Sequence, residues 1–304
     1  MLAALALCMT MNRPAEPKLV PSASLQVQCE KAVRAVMDKF QGDGLVTDKL
    51  ALTVVRVASD SQCLTASVRG DVSIYPASVV KLCYLAYGAH QLQAGKIKLT
   101  PEIERQFTDM IVESDNDATG AVVDLLTGTT SGPELAPKAF QEWSDRRQVV
   151  NKWFASRGYQ GIYACQKTWY SGPYGRERQS YGASYENRNK LTTNATARLM
   201  LEVKHGAIAD EKWTTWMLAK LSRKNPADFA DADGQAKNYI GGALPKGAKL
   251  WSKAGWTSTA RHDCAYVELP SGEMLVIVIF TEGVAAQTDI IPTLAKELIA
   301  RVTG

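Results

Sequence analysis

Two side chains three residues apart, Ser78 and Lys81, could do chemistry together. A serine hydroxyl is a weak nucleophile until a base takes its proton. A lysine amine can serve as that base when burial or a second cation drives off its own proton. The spacing puts both residues on one face of a helix whose apolar pattern runs Val79, Val80, Leu82, Cys83, Leu85, Ala86. Pro76 suits the first turn of that helix, because its missing N–H would go unpaired there anyway. The helix start also turns backbone N–H groups toward negative charge that develops on a substrate oxygen. Ser-x-x-Lys occurs by chance in most long chains, so other residues must join it. Ser114-Asp115-Asn116 opens a helix, although all three residue types are also good N-caps. Lys253-Ala254-Gly255 ends a strand and runs into Trp256-Thr257-Ser258; an edge lysine before a turn glycine is the plain structural alternative.

The elements that must position these residues follow from periodicity. Ser24–Phe40 has helical spacing, and Ala51–Val57 with Leu64–Val68 forms a hairpin around Ser59-Asp60-Ser61. Ser78 to about Arg223 is mostly helical: Ser78–Gln93, Pro101–Ile111, Asp115–Leu126, Pro137–Ala155, Asn194–Val203 and Glu211–Leu221. Between Gly158 and Asn189 lies a long stretch rich in Gly, Tyr, Ser and Arg, and loops of that length are usually functional or mobile. Strand signals return at Leu250–Ala254, Cys264–Leu269 and Met274–Thr281, before a final amphipathic helix over Asp289–Val302. The pattern predicts an α/β (α+β) fold: a five-stranded antiparallel sheet flanked by N- and C-terminal helices, with an all-helical domain inserted. Residues 23–74 and 240–304 would make the sheet domain and residues 75–239 the helical one. A cleft between two such parts is a usual place for a small-molecule site.

Taken together and in this order, Tyr75-Pro76-Ala77-Ser78 with Lys81, Ser114-Asp115-Asn116 and Lys253-Ala254-Gly255 resemble the active-site signature of the penicillin-recognising serine enzymes. The class A β-lactamases are the nearest group, and the likeness includes Asp117-Ala118-Thr119 and Leu191-Thr192-Thr193 and spans the chain beyond residue 22. The resemblance implies that Ser78 attacks a β-lactam, or a peptide ending in D-Ala, with Lys81 as its base. Ser114 would pass a proton to the departing nitrogen, and Asn116 would bond the substrate side chain. Lys253 would add positive charge, and Gly255 would leave room against the strand edge. The N–H groups of Ser78 and Trp256 would form the oxyanion hole, and Arg261, or His262 beside it, would anchor a carboxylate. Two departures stand out. The family's middle hydroxyl in Lys-Thr-Gly is Ala254 here, with Thr257 or Ser258 as possible replacements. Its Glu-x-x-Leu-Asn loop, whose glutamate activates water, is missing; Glu177 and Glu186 are the candidates, each otherwise a solvated loop carboxylate. Three functions stay open: a β-lactamase, a D,D-peptidase or other amide or ester hydrolase with slow release, and a non-catalytic binder of cell-wall peptides.

Composition narrows the field further. The 304 residues are 46% hydrophobic and 22% charged, as in a soluble globular protein, and the net charge of +4 comes without basic runs that would suggest nucleic acid. His90, His205 and His262 are far apart, which argues against a metal, and no cofactor motif occurs. Small-molecule substrate and monomer are expected. The apolar run Leu2–Met11 resembles a secretory signal, with residues 14–22 as linker, so an exported, periplasmic or extracellular protein is expected. Leu5-Ala6-Leu7-Cys8 loosely resembles a lipoprotein box, which keeps membrane anchoring through this segment open. The remaining five cysteines would allow one or two disulfides.

Overall fold

The computed structural model describes residues 17–58 and 62–303; the apolar run Leu2–Met11, Cys8 and the Ser59-Asp60-Ser61 turn lie outside them. Strand β1 (Lys18–Pro21) leads into helix α1 (Ala23–Phe40), then the hairpin of β2 (Leu50–Val57) and β3 (Gln62–Val68). The middle of the chain carries α2 (Lys81–Gln93), α3 (Pro101–Ile111), α4 (Asn116–Thr127), α5 (Pro137–Arg147) and α6 (Val149–Ser156). A loop region follows with β4 (Ile162–Tyr163), α7 (Gly175–Ser180) and β5 (Lys190–Leu191), then α8 (Thr193–Lys204) and α9 (Glu211–Leu221). The chain finishes through β6 (Ser222–Arg223), α10 (Gly234–Lys237), β7 (Lys249–Trp256), β8 (Ala260–Glu268), β9 (Met274–Glu282) and α11 (Ile290–Val302).

The sheet has seven strands in the order β1-β3-β2-β9-β8-β7-β6, so it is larger than the five strands expected and is mixed. The five central strands pair antiparallel as the sequence suggests. The extra ones were hidden for physical reasons. Lys18–Pro21 lies in the stretch expected to be a linker, yet it pairs parallel with β3, at an edge where proline costs no ladder bond. Ser222–Arg223 is only two residues long and carries no periodic signal. Strand β8 starts at Ala260, four residues before the apolar run, because Arg261, His262 and Asp263 continue the ladder opposite Trp256, Gly255 and Ala254.

Both sheet faces are covered, which explains the unbroken apolar run of β9. Leu275, Ile277 and Ile279 pack with α1 and α11, whereas Val276, Val278 and Phe280 face the core shared with the middle helices. Helix α2 runs through that second core and is buried along nearly its whole length. The expected helix at Pro137–Ala155 is two helices divided at Gln148. All five described cysteines are buried, and no disulfide joins any two of them.

Candidate active site

Ser78 does not open the α-helix itself. It sits in a single 3-10 turn, Ala77–Val80, and Lys81 is the first residue of α2. Ala77 holds φ +46° and Ser114 φ +58°, left-handed conformations that non-glycine residues adopt at a cost and that cluster at functional sites. The turn is pinned from the sheet. His262 on β8 is fully buried; its Nδ1 accepts from the Thr281 N–H (3.1 Å), so its Nε2 donates to the Tyr75 carbonyl (2.9 Å). Burial pushes the imidazole down to about 4, so it stays neutral. His262 is therefore a strut beneath Tyr75 and not a carboxylate anchor. Gly255 completes the contact: a Cβ there would stand 2.8 Å from the Ser78 and Val79 nitrogens and 2.9 Å from the Pro76 oxygen. Backbone meets backbone at that point, which only glycine allows.

Lys81 and Lys253 are both fully buried and converge on Ser114. Lys81 Nζ donates to the Ser114 carbonyl (2.6 Å), Asn116 Oδ1 (2.9 Å) and, more weakly, Ser114 Oγ and the Asp115 carbonyl (both 3.3 Å). Lys253 Nζ donates to Ser114 Oγ (3.0 Å), Gln235 Oε1 (3.0 Å) and its neighbour's carbonyl at Ala254 (2.7 Å). Every one of these acceptors is uncharged. Desolvation therefore pushes Lys81 down to about 7, only partly opposed by Asp115, and it pushes Lys253 well below the usual lysine range, aided by the Lys81 and Arg223 charges. Two amines with depressed proton affinity are bridged by one hydroxyl, an arrangement that can pass a proton between them. Among the described residues the Ser78 hydroxyl has no hydrogen-bond partner, so the Lys81 amine bonds Ser114 and Asn116 instead of Ser78. Such contacts often close only when substrate binds.

Gln235 was not legible in the sequence. It lies at the start of the four-residue helix α10, donates to the Val112 carbonyl (2.8 Å) and thereby fixes the oxygen that receives Lys253. Beside it a cleft of about 380 Å³ opens, lined among others by Glu113, Gln235, Tyr239, Trp256 and Arg261. Arg261 donates to the Ala285 carbonyl (3.0 Å) and lies over the Tyr239 ring. Thr257 is used by the β7–β8 turn, where its Oγ1 accepts from the Ala260 and Thr259 N–H groups (3.0 and 3.2 Å). Ser258 is exposed. Neither hydroxyl bonds Lys253. Asp263, opposite Ala254, is fully buried on the other sheet face; desolvation pushes it up to about 7, and its Oδ2 accepts from the Ile240 N–H (3.0 Å).

Glu177 is not the solvated loop carboxylate considered above. It is 0% exposed on α7, ion-paired with Arg147 of α5, 3.5 Å from Lys167 and bonded by the Ser131 hydroxyl (2.8 Å). Asp124 of α4 closes the cluster, 2.6 Å from Lys167 and 3.2 Å from Arg147. Two acids and two bases thus neutralise one another and tie the 158–190 loop to α4 and α5. Glu186 is exposed and accepts from the N–H and hydroxyl of Ser184.

The model of the beta-lactamase enzyme family matches residues 101–302. The chain belongs to that family. The matched part contains Ser114, Asn116 and Lys253 but begins beyond Ser78 and Lys81. Solved structures agree on the fold. The TLA-1 extended spectrum beta-lactamase is 13% identical, with TM-score 0.66 over 91% of this chain and 100% of that one. A beta-lactamase from Sphaerobacter thermophilus is 20% identical, with TM-score 0.62 over 91% and 98%. A mutant of PBP-A, solved as an acyl-enzyme complex with penicillin G, is 17% identical, with TM-score 0.63 over 93% and 97%. No curated protein matches the sequence.

Proposed function

We propose that this beta-lactamase-like serine hydrolase is acylated at Ser78 by β-lactams or by peptides ending in D-Ala, and that it releases the acyl group slowly. The observation that carries the reading is the convergence of Lys81 and Lys253, each without a carboxylate partner, on Ser114 Oγ. Neutral Lys81 takes the Ser78 proton as Oγ bonds to the carbonyl carbon. The C–N bond then breaks, and the nitrogen receives the Ser114 hydroxyl proton, which Lys81 replaces. Lys253 holds positive charge beside that transfer, and Arg261 offers a guanidinium at the cleft mouth for a substrate carboxylate. The N–H groups of Ser78 and Trp256 receive the oxyanion, at roughly 3 kcal/mol for each donor lost.

Release is the step that lacks a base. Rapid β-lactam hydrolysis needs a carboxylate poised on water, yet Glu177 is bound to Arg147 and Glu186 points to solvent. Asp115, whose charge Lys81 feels, caps α4 through the Ala118 N–H (2.6 Å) and accepts from Tyr170 (2.8 Å). Slow release would set the chain beside penicillin-binding enzymes and apart from fast β-lactamases. Export belongs to the same proposal, since such substrates lie outside the cytoplasm; no described helix is long and apolar enough to cross a membrane. A fluorescent penicillin tests the reading. The wild type should carry one label that persists for many minutes, and Ser78→Ala should carry none. Loss of label within seconds would make the protein a true β-lactamase; no label on the wild type would leave a non-catalytic binder.

A further inference from the structure

Asp263 is a buried acid that the chemistry above does not use. It stands on β8 directly opposite Ala254, the middle residue of Lys253-Ala254-Gly255, and is 0% exposed. Only one of its oxygens is satisfied. Oδ2 accepts from the Ile240 N–H (3.0 Å), whereas Oδ1 has no hydrogen-bond partner among the described residues. An anion so placed is costly unless cations face it.

Two cations do. Arg223 of β6 is already engaged: it donates to the Ile111 and Val112 carbonyls (2.7 and 3.0 Å) and lies 3.4 Å from the half-exposed Asp233. Lys253 is the other, and its three hydrogen-bond acceptors are all neutral. Burial, with the Lys81 and Arg223 charges, works to strip the proton from Lys253; Asp263, and after it Asp233, oppose that loss. Tyr239 and Cys264 also feel the Asp263 charge, which helps to keep both neutral, and the buried face of α11 is apolar. The same carboxylate braces the segment that carries Gln235. Ile240 opens the 3-10 turn Ile240–Ala243 behind α10, and a Cβ at Gly241 would stand 2.8 Å from the Ala236 carbonyl oxygen, so turn and helix meet backbone to backbone.

We infer that the Asp263 carboxylate is a positioning residue for acylation, the buried counter-charge that keeps Lys253 a cation from across β7. The inference rests on the acylation of Ser78 proposed above, in which Lys253 holds positive charge beside the proton transfer. Asp263→Asn keeps an acceptor for the Ile240 N–H and removes the charge. Lys253→Arg keeps a cation that cannot give up its proton. The experiment measures second-order acylation of the full chain by a fluorescent penicillin between pH 6 and 10.5, in the wild type, both single variants and the double variant. The acid side of the profile, set by Lys81, should not move. On the alkaline side the pH at which the rate falls should drop by about one unit in Asp263→Asn, because an opposite charge has been taken from the amine. In the Lys253→Arg background the same substitution should change the rate less than about twofold at any pH. An alkaline side that Asp263→Asn leaves in place overturns the inference. So does an equal loss at every pH in both backgrounds, which would make Asp263 a strut for Gln235 and nothing more. Carbon-13 spectra of the wild type, labelled at the aspartate carboxyl and lysine ε carbons, need neither a variant that folds nor a rate. Asp263 must be an anion and Lys253 a cation at pH 8, and a neutral pair overturns the inference. A wild type that carries both charges but takes no label overturns the acylation reading alone.

Discussion

The depressed proton affinity of Lys81 has a measurable consequence. An exposed lysine titrates near 10.5, and burial of this one among neutral acceptors brings it to about 7. That difference is worth roughly 5 kcal/mol against the ammonium form. At pH 7 about half the Lys81 amines are free of a proton, against about one in three thousand for an exposed lysine. The sign follows: the base is lost as pH falls through about 7, so acylation of Ser78 by a fluorescent penicillin should slow roughly tenfold for each pH unit below 6 and level off above pH 8. Lys81→Arg isolates the base from the charge, because arginine keeps the cation and cannot give up its proton. It should lose as much as Lys81→Ala, about a hundredfold or more at pH 7.5. Stopped-flow labelling between pH 5 and 9 reads both effects. A rate that stays flat across this range, or one that Lys81→Arg leaves intact, would refute the assignment of Lys81 as base.

Two other perturbations probe the scaffold around that pair. Glu177→Gln leaves Arg147 and Lys167 buried with only Asp124 to neutralise them, so thermal or urea unfolding should show a loss of about 3–5 kcal/mol while the release rate of the label is unchanged; unchanged stability with slower release would instead make Glu177 the base for water. Gly255→Ala forces a methyl against the backbone of Pro76, Ser78 and Val79, none of which is a side chain that could turn away. Labelling at Ser78 should fall by two orders of magnitude or more, as for loss of an oxyanion donor, and near-wild-type labelling would show that the serine turn is free to shift.

Much of this site could be read from residue order alone, and the reason is chemical. Ser78 and Lys81 are one helical turn apart, and Ser114-Asp115-Asn116 and Lys253-Ala254-Gly255 are contiguous, so their identities survive without knowledge of the fold. The apolar run of β9 was equally visible, because a strand buried on both faces has few polar residues to break its pattern. Polar or short segments were not. Lys18–Pro21 and Ser222–Arg223 become strands only because a sheet edge is already there to pair with them. Gln235 and His262 gained their roles from partners 18 and 187 positions away, Lys253 and Tyr75, at separations no local pattern encodes. Tertiary structure alone decided the protonation of the site and the role of the loop acid. Burial brings Lys81 down to about 7 with the Asp115 charge opposing it only in part, and Glu177 is spent on Arg147 because α5 and α7 happen to meet. Burial and charge pairing are sums over the whole fold, and a sequence lists only their terms.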